Sequence, residues 1–383
     1  MNQHMRSEPI PFIDIAAQRR RLGSAIDVAT KRVLDHCQFI SGPEVTQLET
    51  MLAAYCGAKH VITCANGTDA LVMVLMAIGV GRGDAVFCPS FTFCATASPV
   101  ARTGATPLFV DVDETTFNIA RASLERGIAT ARKLGLKPKV VIPVDLFGQS
   151  ADHDEIGELA RAEGLFVLDD AAQAFGATHH GRRLGALADA TTTSFFPAKP
   201  LGCYGDGGAI FTDDDNLANT LRSIRVHGQG SDKYDNIRLG MTGRLDTIQA
   251  AVLIEKLKIF DDEIEARNAA ADRYTRGLGN DVVAPRLASG NTSTWAQYTI
   301  RLPAGVDRDG FAADLKAQGV PTAIYYARSL HQQTAFRHFP AAEGGLPVSE
   351  RLSSDVISLP MHAYLDESTQ DRVIKAVRGA LGA

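Results

Sequence analysis

The first half of the chain alternates short apolar runs with segments of helical periodicity. This alternation is typical of βαβ units, which build a mostly parallel sheet covered by helices on both faces. It constrains the fold more than any other feature of the sequence. Strands are predicted at His60–Cys64, Ala85–Pro89, Thr106–Val112, Lys139–Asp145, Leu165–Leu168, Ala190–Phe196 and Gly208–Thr212. Helices are predicted at 18–36, 44–56, Ala70–Ile78, Ala122–Leu134 and Asp152–Glu163.

The pattern changes after Leu245, where a long helical stretch, Asp246–Arg276, could carry the chain out of the first domain. Beyond it, shorter and less regular elements indicate a smaller α+β domain. We therefore predict a large domain at 12–258 and a small C-terminal domain at 259–383. The elements predicted for the small domain are strands at Gln297–Arg301 and Pro321–Tyr326 and helices at Arg308–Gln318 and Glu367–Leu381.

Composition excludes several classes of protein. The 383 residues carry a net charge of −5, and the sequence has no basic run with interleaved aromatic residues. Both observations argue against nucleic-acid binding. No window approaches the ~18 uninterrupted apolar residues of a membrane span. The six cysteines form no CxxC pair, which fits a reducing compartment such as the cytoplasm. No HExxH motif or His/Asp cluster at ligand spacing occurs, so we expect no metal.

Ligands of such sheets gather at the carboxyl ends of the strands. Three segments with reactive side chains follow predicted strands there: Asn66–Thr68, Asp169–Gln173 and the turn around Lys199. Pro197 and Pro200 restrict the backbone on both sides of this lysine, and the glycines that follow let the chain turn back sharply. A crowded ammonium readily loses its proton, and a neutral amine can attack a carbonyl. The alternative is an ordinary lysine in a glycine-rich turn.

Two of these segments suit parts of a phosphorylated heterocycle. Asn66-Gly67-Thr68 opens a helix after a strand, so its free N–H groups and the Thr68 hydroxyl could bind a phosphate. A plain helix cap is the alternative. Asp169-Asp170 ends an apolar strand, where a carboxylate could hold a protonated ring nitrogen or simply cap a helix.

An aromatic side chain at another strand end completes the set. Phe91 and Phe93, in the segment PSFTF, could stack on a planar cofactor, although periodicity cannot distinguish either from a core phenylalanine. Together the segments offer a phosphate cup, an aromatic face, an acid for a ring nitrogen and a lysine amine. A pyridoxal phosphate enzyme needs these parts.

Several motifs in order then make a family recognisable. They are GPEVTQLE, CANGTDAL, PSFTFCATA, LDDAAQAFGA, SFFPAKPLGCYGDGGAIFT, GRLDTIQAAVL and LPMH. The chain resembles the DegT/DnrJ/EryC1/StrS family of sugar aminotransferases, and the resemblance runs from Phe12 to about Leu365. It implies the α/β fold type I of pyridoxal-phosphate-dependent transferases, with a large domain around a mostly parallel sheet and a smaller α+β C-terminal domain.

The resemblance implies a role for each residue of the cofactor site. Lys199 holds pyridoxal 5'-phosphate as a Schiff base and moves protons, and Asp170 pairs with the ring nitrogen. Pyridoxamine 5'-phosphate is the other form of the cofactor during turnover. The other predicted contacts are Gln173 near the ring hydroxyl, Phe93 and Ala172 on the two ring faces, and Gly67, Thr68 and Ser194 at the phosphate.

The resemblance also implies a homodimer whose active sites are shared. The family has an asparagine from the neighbouring subunit at the phosphate, and this chain has Thr242 there, whose reach is shorter. Arg244 aligns with an arginine that can meet the carboxylate of a sugar. Tyr325 stands where some relatives carry histidine, and we predict substrate contact for it.

The activity implied is transfer of the amino group of L-glutamate to a ketone of a nucleotide-linked sugar. The segment SFFPAKPLGCYGDGG is most similar to that of enzymes that aminate C3 of UDP-2-acetamido-2-deoxy-3-oxo-glucuronate, on the way to bacterial surface polysaccharides such as O-antigen. One alternative is amination at C4 of a 4-keto-6-deoxy sugar, as in perosamine synthases. A dehydratase of the family would carry histidine in place of Lys199. A regulator that binds pyridoxal phosphate without turnover is the alternative of a different class.

Overall fold

The structure is a computed structural model, and it describes residues 9–232 and 234–382. Short strands and the helices that connect them dominate the first two thirds of the chain. The strands are β1 (His60–Cys64), β2 (Asp84–Pro89), β3 (Thr106–Val110), β4 (Lys137–Val141), β5 (Phe166–Asp170), β6 (Thr178–His179), β7 (Arg182–Arg183), β8 (Ala190–Ser194), β9 (Gly208–Thr212), β10 (Tyr298–Arg301) and β11 (Val356–Leu359).

Helices cover the sheet and build most of the C-terminal part. They are α1 (Ile15–Leu22), α2 (Ala25–His36), α3 (Pro43–Cys56), α4 (Gly67–Ala77), α5 (Ser98–Arg102), α6 (Arg121–Lys133), α7 (His153–Glu163), α8 (Asp215–Ile224), α9 (Thr247–Leu257), α10 (Phe260–Leu278), α11 (Arg308–Ala317), α12 (Pro347–Asp355) and α13 (Glu367–Leu381).

One large sheet organises the structure, with the strand order β1-β9-β8-β5-β4-β2-β3. Strands β8, β5, β4, β2 and β3 pair in parallel, and only β9 runs antiparallel to its neighbours β1 and β8. The mostly parallel sheet predicted from the alternating pattern is therefore confirmed. The carboxyl ends of β1, β2, β5 and β8 all lie at one edge, and the predicted site segments follow those ends.

Near-continuous apolar runs explain why this sheet lies inside the molecule. The largest core joins the sheet strands to α4, α6, α7 and α8, and Val86, Leu108, Val140 and Ile210 in it are inaccessible to solvent. A parallel strand buried on both faces reads as such a run, because neither face meets water. A second core lies among α10, α11, α13 and the β10–β11 pair.

The domain boundary predicted between residues 258 and 259 stays a prediction. Most of the second core comes from residues 270–377, but Ile10 from the N-terminal segment also belongs to it. Conversely, the segment near Ala342 packs on the large core, where the Ala342 N–H donates to the Phe109 carbonyl at 2.8 Å. Ala383, the last residue of the predicted small domain, lies outside the described residues.

Three predicted elements differ from the structure. The helix predicted over 18–36 is broken between α1 and α2, where Gly23 has φ +54° and its N–H still caps the preceding turn. The stretch Asp246–Arg276 is broken at Lys258–Ile259, between α9 and α10. No strand forms at Pro321–Tyr326. That segment makes a single bridge, between Ala323 and Ser358 of β11, and β11, a strand not predicted from the sequence, pairs with β10 on its other edge.

Candidate active site

Lys199 lies in the connection between β8 and β9, and close backbone contacts fix that connection. The Lys199 N–H donates to the Phe196 carbonyl at 2.8 Å. A Cβ at Gly202 would lie 2.6 Å from that same carbonyl oxygen, so only glycine fits there. Burial lowers the pKa of the Lys199 amine, and the nearby charge of Asp170 opposes the shift. A lowered pKa makes the neutral, nucleophilic amine more available.

The predicted phosphate turn begins α4 and lies against the end of β8. Asn66 is its N-cap, and its side-chain oxygen accepts from the Asp69 N–H at 2.8 Å. The first N–H groups of a helix have no acceptor within the helix, so those of Gly67 and Thr68 are left for a ligand. A Cβ at Gly67 would lie 2.7 Å from the Ser194 Cβ, which makes the turn and Ser194 neighbours. The structure thus brings Gly67, Thr68 and Ser194 together.

The two adjacent aspartates at the end of β5 face opposite sides of the sheet, because side chains alternate along a strand. Asp170 accepts from the Thr96 hydroxyl at 2.9 Å and from the Ala172 N–H at 3.3 Å, and it lies on the side of Lys199. Asp169 instead accepts from the Thr191 hydroxyl at 3.2 Å and pairs with His153. This arrangement supports Asp170, and not Asp169, as the partner of a ring nitrogen.

Burial raises the pKa of Asp170, while the hydrogen bonds from Thr96 and Ala172 and the charge of Lys199 act in the opposite direction. Charged hydrogen-bond partners stabilise a carboxylate in a low dielectric. A protonated ring nitrogen beside Asp170 would add to them. Ala172 lies two residues after Asp170 and is partly exposed, as a residue lying against a ring face requires.

Phe93 and Phe91 differ in a way that periodicity could not reveal. Phe91 is 0% exposed and belongs to an aromatic core cluster, whereas Phe93 is 53% exposed. An exposed ring beside the site is free to stack on a ligand. The Phe93 centroid lies 6.2 Å from that of Tyr326.

Gln173 is held at both ends of its amide. Its side-chain oxygen accepts from the Phe147 N–H at 2.7 Å, and its nitrogen donates to the Tyr326 hydroxyl at 3.0 Å. The amide nitrogen has a second N–H, which remains available for the predicted ring hydroxyl. Sequence reasoning missed Tyr326, because only the fold brings it to Gln173 across 153 positions of sequence. Tyr325, whose substrate contact stays a prediction, contacts Phe12 at a centroid distance of 6.4 Å.

The segment with Thr242 and Arg244 lies beside the phosphate turn of its own subunit. The Gly243 carbonyl accepts from the Ala65 N–H at 3.2 Å, one residue before the N-cap of α4. Thr242 is exposed, and its hydroxyl contacts His227 Nε2 at 3.1 Å. The Nε of Arg244 is buried without a hydrogen-bond partner among the described groups. Whether these side chains serve their own site or the partner's stays a prediction.

These residues fit pyridoxal phosphate. The cradle at Gly67, which a Cβ would fill, adjoins the Ser194 hydroxyl and suits a phosphate. The buried carboxylate of Asp170 suits a cationic ring nitrogen, and the Lys199 amine lies on the same side of the sheet. The fold and this set of residues define the class as fold type I of pyridoxal-phosphate-dependent enzymes.

The comparison with protein families gives the same answer. The model of the DegT/DnrJ/EryC1/StrS aminotransferase family matches residues 21–378, and the chain belongs to that family. It is 47% identical over 373 residues to the UDP-2-acetamido-2-deoxy-3-oxo-D-glucuronate aminotransferase of Pseudomonas aeruginosa, covering 97% of this chain and 99% of the relative.

Two other relatives bear different names. The "pleiotropic regulatory protein" of Geobacillus stearothermophilus is 43% identical, with 96% of this chain and 97% of the relative covered. The GDP-perosamine synthase of Caulobacter vibrioides is 39% identical, with 88% and 90% covered.

Solved structures share the fold over nearly the whole chain. A DegT/DnrJ/EryC1/StrS aminotransferase from Brucella abortus superposes with a TM-score of 0.95 at 52% identity, covering 98% of this chain and 100% of that one. The Bacillus subtilis protein NtdA with bound cofactor PMP superposes with a TM-score of 0.89 at 29% identity, covering 100% and 87%. These findings confirm the family, the fold class and the pyridoxal phosphate chemistry predicted from the sequence.

The roles of the individual site residues are proposals, supported by the contacts described above. No helix within the described ranges combines the length and the apolar character needed to cross a membrane.

Proposed function

We propose that this protein transfers the amino group of L-glutamate to C3 of UDP-2-acetamido-2-deoxy-3-oxo-D-glucuronate, in the synthesis of bacterial surface polysaccharides such as O-antigen. The observation that carries the proposal is 47% identity, over almost the full length of both chains, to the Pseudomonas enzyme named for that substrate. The site supports it, because the side chains needed to transfer an amine lie near one another at one edge of the sheet.

The residues of this chain have separate roles in binding the cofactor and in moving protons. The N-terminus of α4 with Ser194 binds the phosphate, and Asp170 keeps the ring nitrogen protonated. Lys199 takes a proton from the α-carbon of glutamate and later delivers a proton to C3 of the acceptor sugar. The lowered pKa of its amine lets it act as the base in the first of these steps. When bound, pyridoxal phosphate supplies the electron sink that stabilises the negative charge on the substrate carbon.

Arg244 is proposed to bind the carboxylate of the sugar. Its buried Nε has no partner among the described groups, which leaves a guanidinium donor for a ligand. Arginine can bind a carboxylate through two parallel hydrogen bonds, and lysine cannot copy that geometry. Arg244 therefore favours a uronate over the neutral 6-deoxy sugar of the alternative C4 reaction. The similarity to GDP-perosamine synthase is the observation that supports that alternative.

A panel of acceptors tests the proposal. UDP- and dTDP-linked keto sugars are incubated with glutamate and purified protein, and the amine formed is weighed by mass spectrometry. The 3-oxo uronate should be converted fastest. Arg244→Ala should lose about 10- to 150-fold in kcat/KM on the uronate, the cost of one charged hydrogen bond, and little on the same sugar without the carboxylate. Arg244→Lys should stay impaired. Equal losses on both sugars would favour the neutral 4-keto sugar.

A regulator without turnover is the second class of function, and the name of the Geobacillus relative supports it. Lys199, Asp170 and Gln173 are all present and placed together, which favours an enzyme. Absence of transamination with every acceptor of the panel would favour the regulator.

The assembly and the location belong to the same proposal. We infer a homodimer with shared active sites, working in the cytoplasm, with Thr242 near the partner's cofactor phosphate. Four large apolar side chains are exposed and suit a subunit interface: Phe39, Ile40, Ile237 and Leu239. The substrate contact of Tyr325 stays within this proposal as well.

A further inference from the structure

Three ionisable side chains meet behind Asp170, on the opposite side of β5. Asp145 follows β4, His153 is the first residue of α7, and Asp169 lies in β5. The Nε2 of His153 is 3.4 Å from the Asp145 Oδ1 and 3.7 Å from the Asp169 Oδ1. The side chains of all three residues are at most 1% exposed. The residues therefore form an ion cluster inside the core, which we call the Asp145–His153–Asp169 cluster.

Hydrogen bonds satisfy only part of this cluster. Asp145 Oδ1 accepts from the Ala151 N–H at 2.6 Å, and Asp169 also accepts from the Thr191 hydroxyl. Asp145 Oδ2, Asp169 Oδ1 and both ring nitrogens of His153 have no hydrogen-bond partner among the described groups. Buried carboxylates without full hydrogen bonding need a compensating charge. The imidazole of His153 lies within ion-pair distance of both.

The cluster is mechanically joined to Asp170. The Asp145 N–H donates to the Asp170 carbonyl at 3.1 Å, and the Asp170 N–H donates to the Pro143 carbonyl at 2.9 Å. The loop that carries Asp145 therefore brackets Asp170, and Asp169 is its neighbour in the strand. A change in the cluster acts on Asp170 through this backbone and through the electric field.

We propose that Asp145, His153 and Asp169 form a buried charge cluster that positions Asp170 and balances its charge, with His153 held as the imidazolium. The inference rests on the proposed role of Asp170. With the imidazolium and both carboxylates ionised, the cluster carries one net negative charge. Without His153 it would carry two, and the extra negative charge would oppose ionisation of Asp170 and so weaken its hold on a ring nitrogen.

The surroundings of His153 support its charged state. Burial lowers its pKa, but the charges of Asp169 and Asp145, with that of Asp152, outweigh burial and raise the pKa to about 9. The ring of His179 lies edge-on to it at 5.9 Å and opposes the charge. A cation at the start of a helix is also disfavoured by the helix dipole, so the two carboxylates are what hold it.

The surroundings of Asp169 show why the cluster needs a cation. Burial raises the pKa of Asp169, the charges of Asp145 and Asp170 raise it further, and the charge of His153 and the Thr191 hydrogen bond lower it. The carboxylates therefore compete to be ionised. His153 is the group that relieves this competition.

The first test uses the wild-type protein without cofactor. The imidazole of His153 is followed by NMR in histidine-labelled protein between pH 6 and 10. The proposal requires a charged ring at pH 7.5 that titrates near 9. A neutral ring at pH 7.5 would overturn it. So would a divalent metal ion present in equimolar amount in the purified protein. This test depends on neither activity nor the role of Asp170.

The second test measures the dissociation constant of pyridoxal phosphate by fluorescence in four variants of the full chain. His153→Gln should weaken binding about tenfold, the equivalent of one pKa unit at Asp170. Asp169→Asn removes one negative charge from the cluster, so it should bind at least as tightly as wild type. The double variant His153→Gln/Asp169→Asn restores the net charge of the cluster, so it should recover to within about threefold of wild type.

Packing alone would give a different ranking. If the double variant binds as weakly as His153→Gln or more weakly, the charge account is wrong. Asp170→Asn is the fourth variant and tests the proposed role itself. If Asp170→Asn binds pyridoxal phosphate as tightly as wild type, and NMR shows that His153 is charged, then the proposed role of Asp170 is wrong but the buried charge cluster exists. Circular dichroism checks that each variant is folded.

Discussion

Replacement of Asp170 by asparagine is the sharpest perturbation of the site, because it removes charge and keeps shape. The carboxylate is 6% exposed and bonded to Thr96 and Ala172. Asparagine has one oxygen and can keep one of these bonds. It cannot neutralise a protonated ring nitrogen, and it offers no negative charge to Lys199.

The size of the loss follows from what is removed. A hydrogen bond to a charged group contributes about 1.5–3 kcal/mol, which corresponds to about 10- to 150-fold in rate if it acts in the transition state. The low dielectric around Asp170 favours the upper part of that range. We expect the cofactor still to bind, since the phosphate turn at Gly67 and the Lys199 amine are untouched.

The assay follows the first half-reaction, with glutamate alone, by stopped-flow absorbance of the cofactor. Asp169→Asn is the matched control, because the same chemical change is made one residue earlier on the opposite face of β5. Asp170→Asn should slow the half-reaction by about 10- to 150-fold, and Asp169→Asn by less than about threefold. The reverse ranking would refute the assignment and show that the register is misplaced by one residue.

Three further predictions concern the phosphate turn, Tyr326 and the subunits. Gly67→Ala should weaken cofactor binding by about 1–3 kcal/mol in a fluorescence titration, because its Cβ would lie 2.7 Å from that of Ser194. Unchanged affinity would show that the phosphate does not bind at Gly67. Tyr326→Phe should slow the half-reaction by about 2- to 13-fold, the cost of one neutral hydrogen bond. A wild-type rate would show that the Tyr326 hydroxyl has no role in the reaction. Mixed Lys199→Ala and Arg244→Ala subunits should regain activity if sites are shared, and confirmed exchange without recovery would assign both residues to one subunit's site.

The sequence predicted the sheet and the strand ends that carry the site, because these depend on local patterns. An apolar run ends in Asp169-Asp170, and Asn66-Gly67 follows another apolar run. These local patterns were enough to predict that the two segments lie at the same edge of the sheet. Alternation along β5 then explains why adjacent aspartates have different surroundings. The sequence could not distinguish Phe91 from Phe93, since both follow the same strand and only packing separates a core ring from an exposed one.

Contacts between distant segments were beyond the sequence. Tyr326 reaches Gln173 only because the chain returns to the sheet after α11, and no local pattern records that return. The strand expected at Pro321–Tyr326 is reduced to one antiparallel bridge, between Ala323 and Ser358 of β11, on the edge of β11 opposite β10. Asp145 stands in the loop after β4 and His153 at the start of α7, and only the fold brings both to Asp169.

The central claim is that the nitrogen of glutamate is transferred to the sugar while Lys199 moves the protons, and an isotope experiment tests it most directly. Protein loaded with pyridoxal phosphate is given ¹⁵N-labelled L-glutamate and UDP-2-acetamido-2-deoxy-3-oxo-D-glucuronate, and the sugar is analysed by mass spectrometry. We expect a 3-amino sugar that carries the label, formed by the wild type and not by Lys199→Ala. An unlabelled product, no product, or a labelled product made equally well by Lys199→Ala would contradict it.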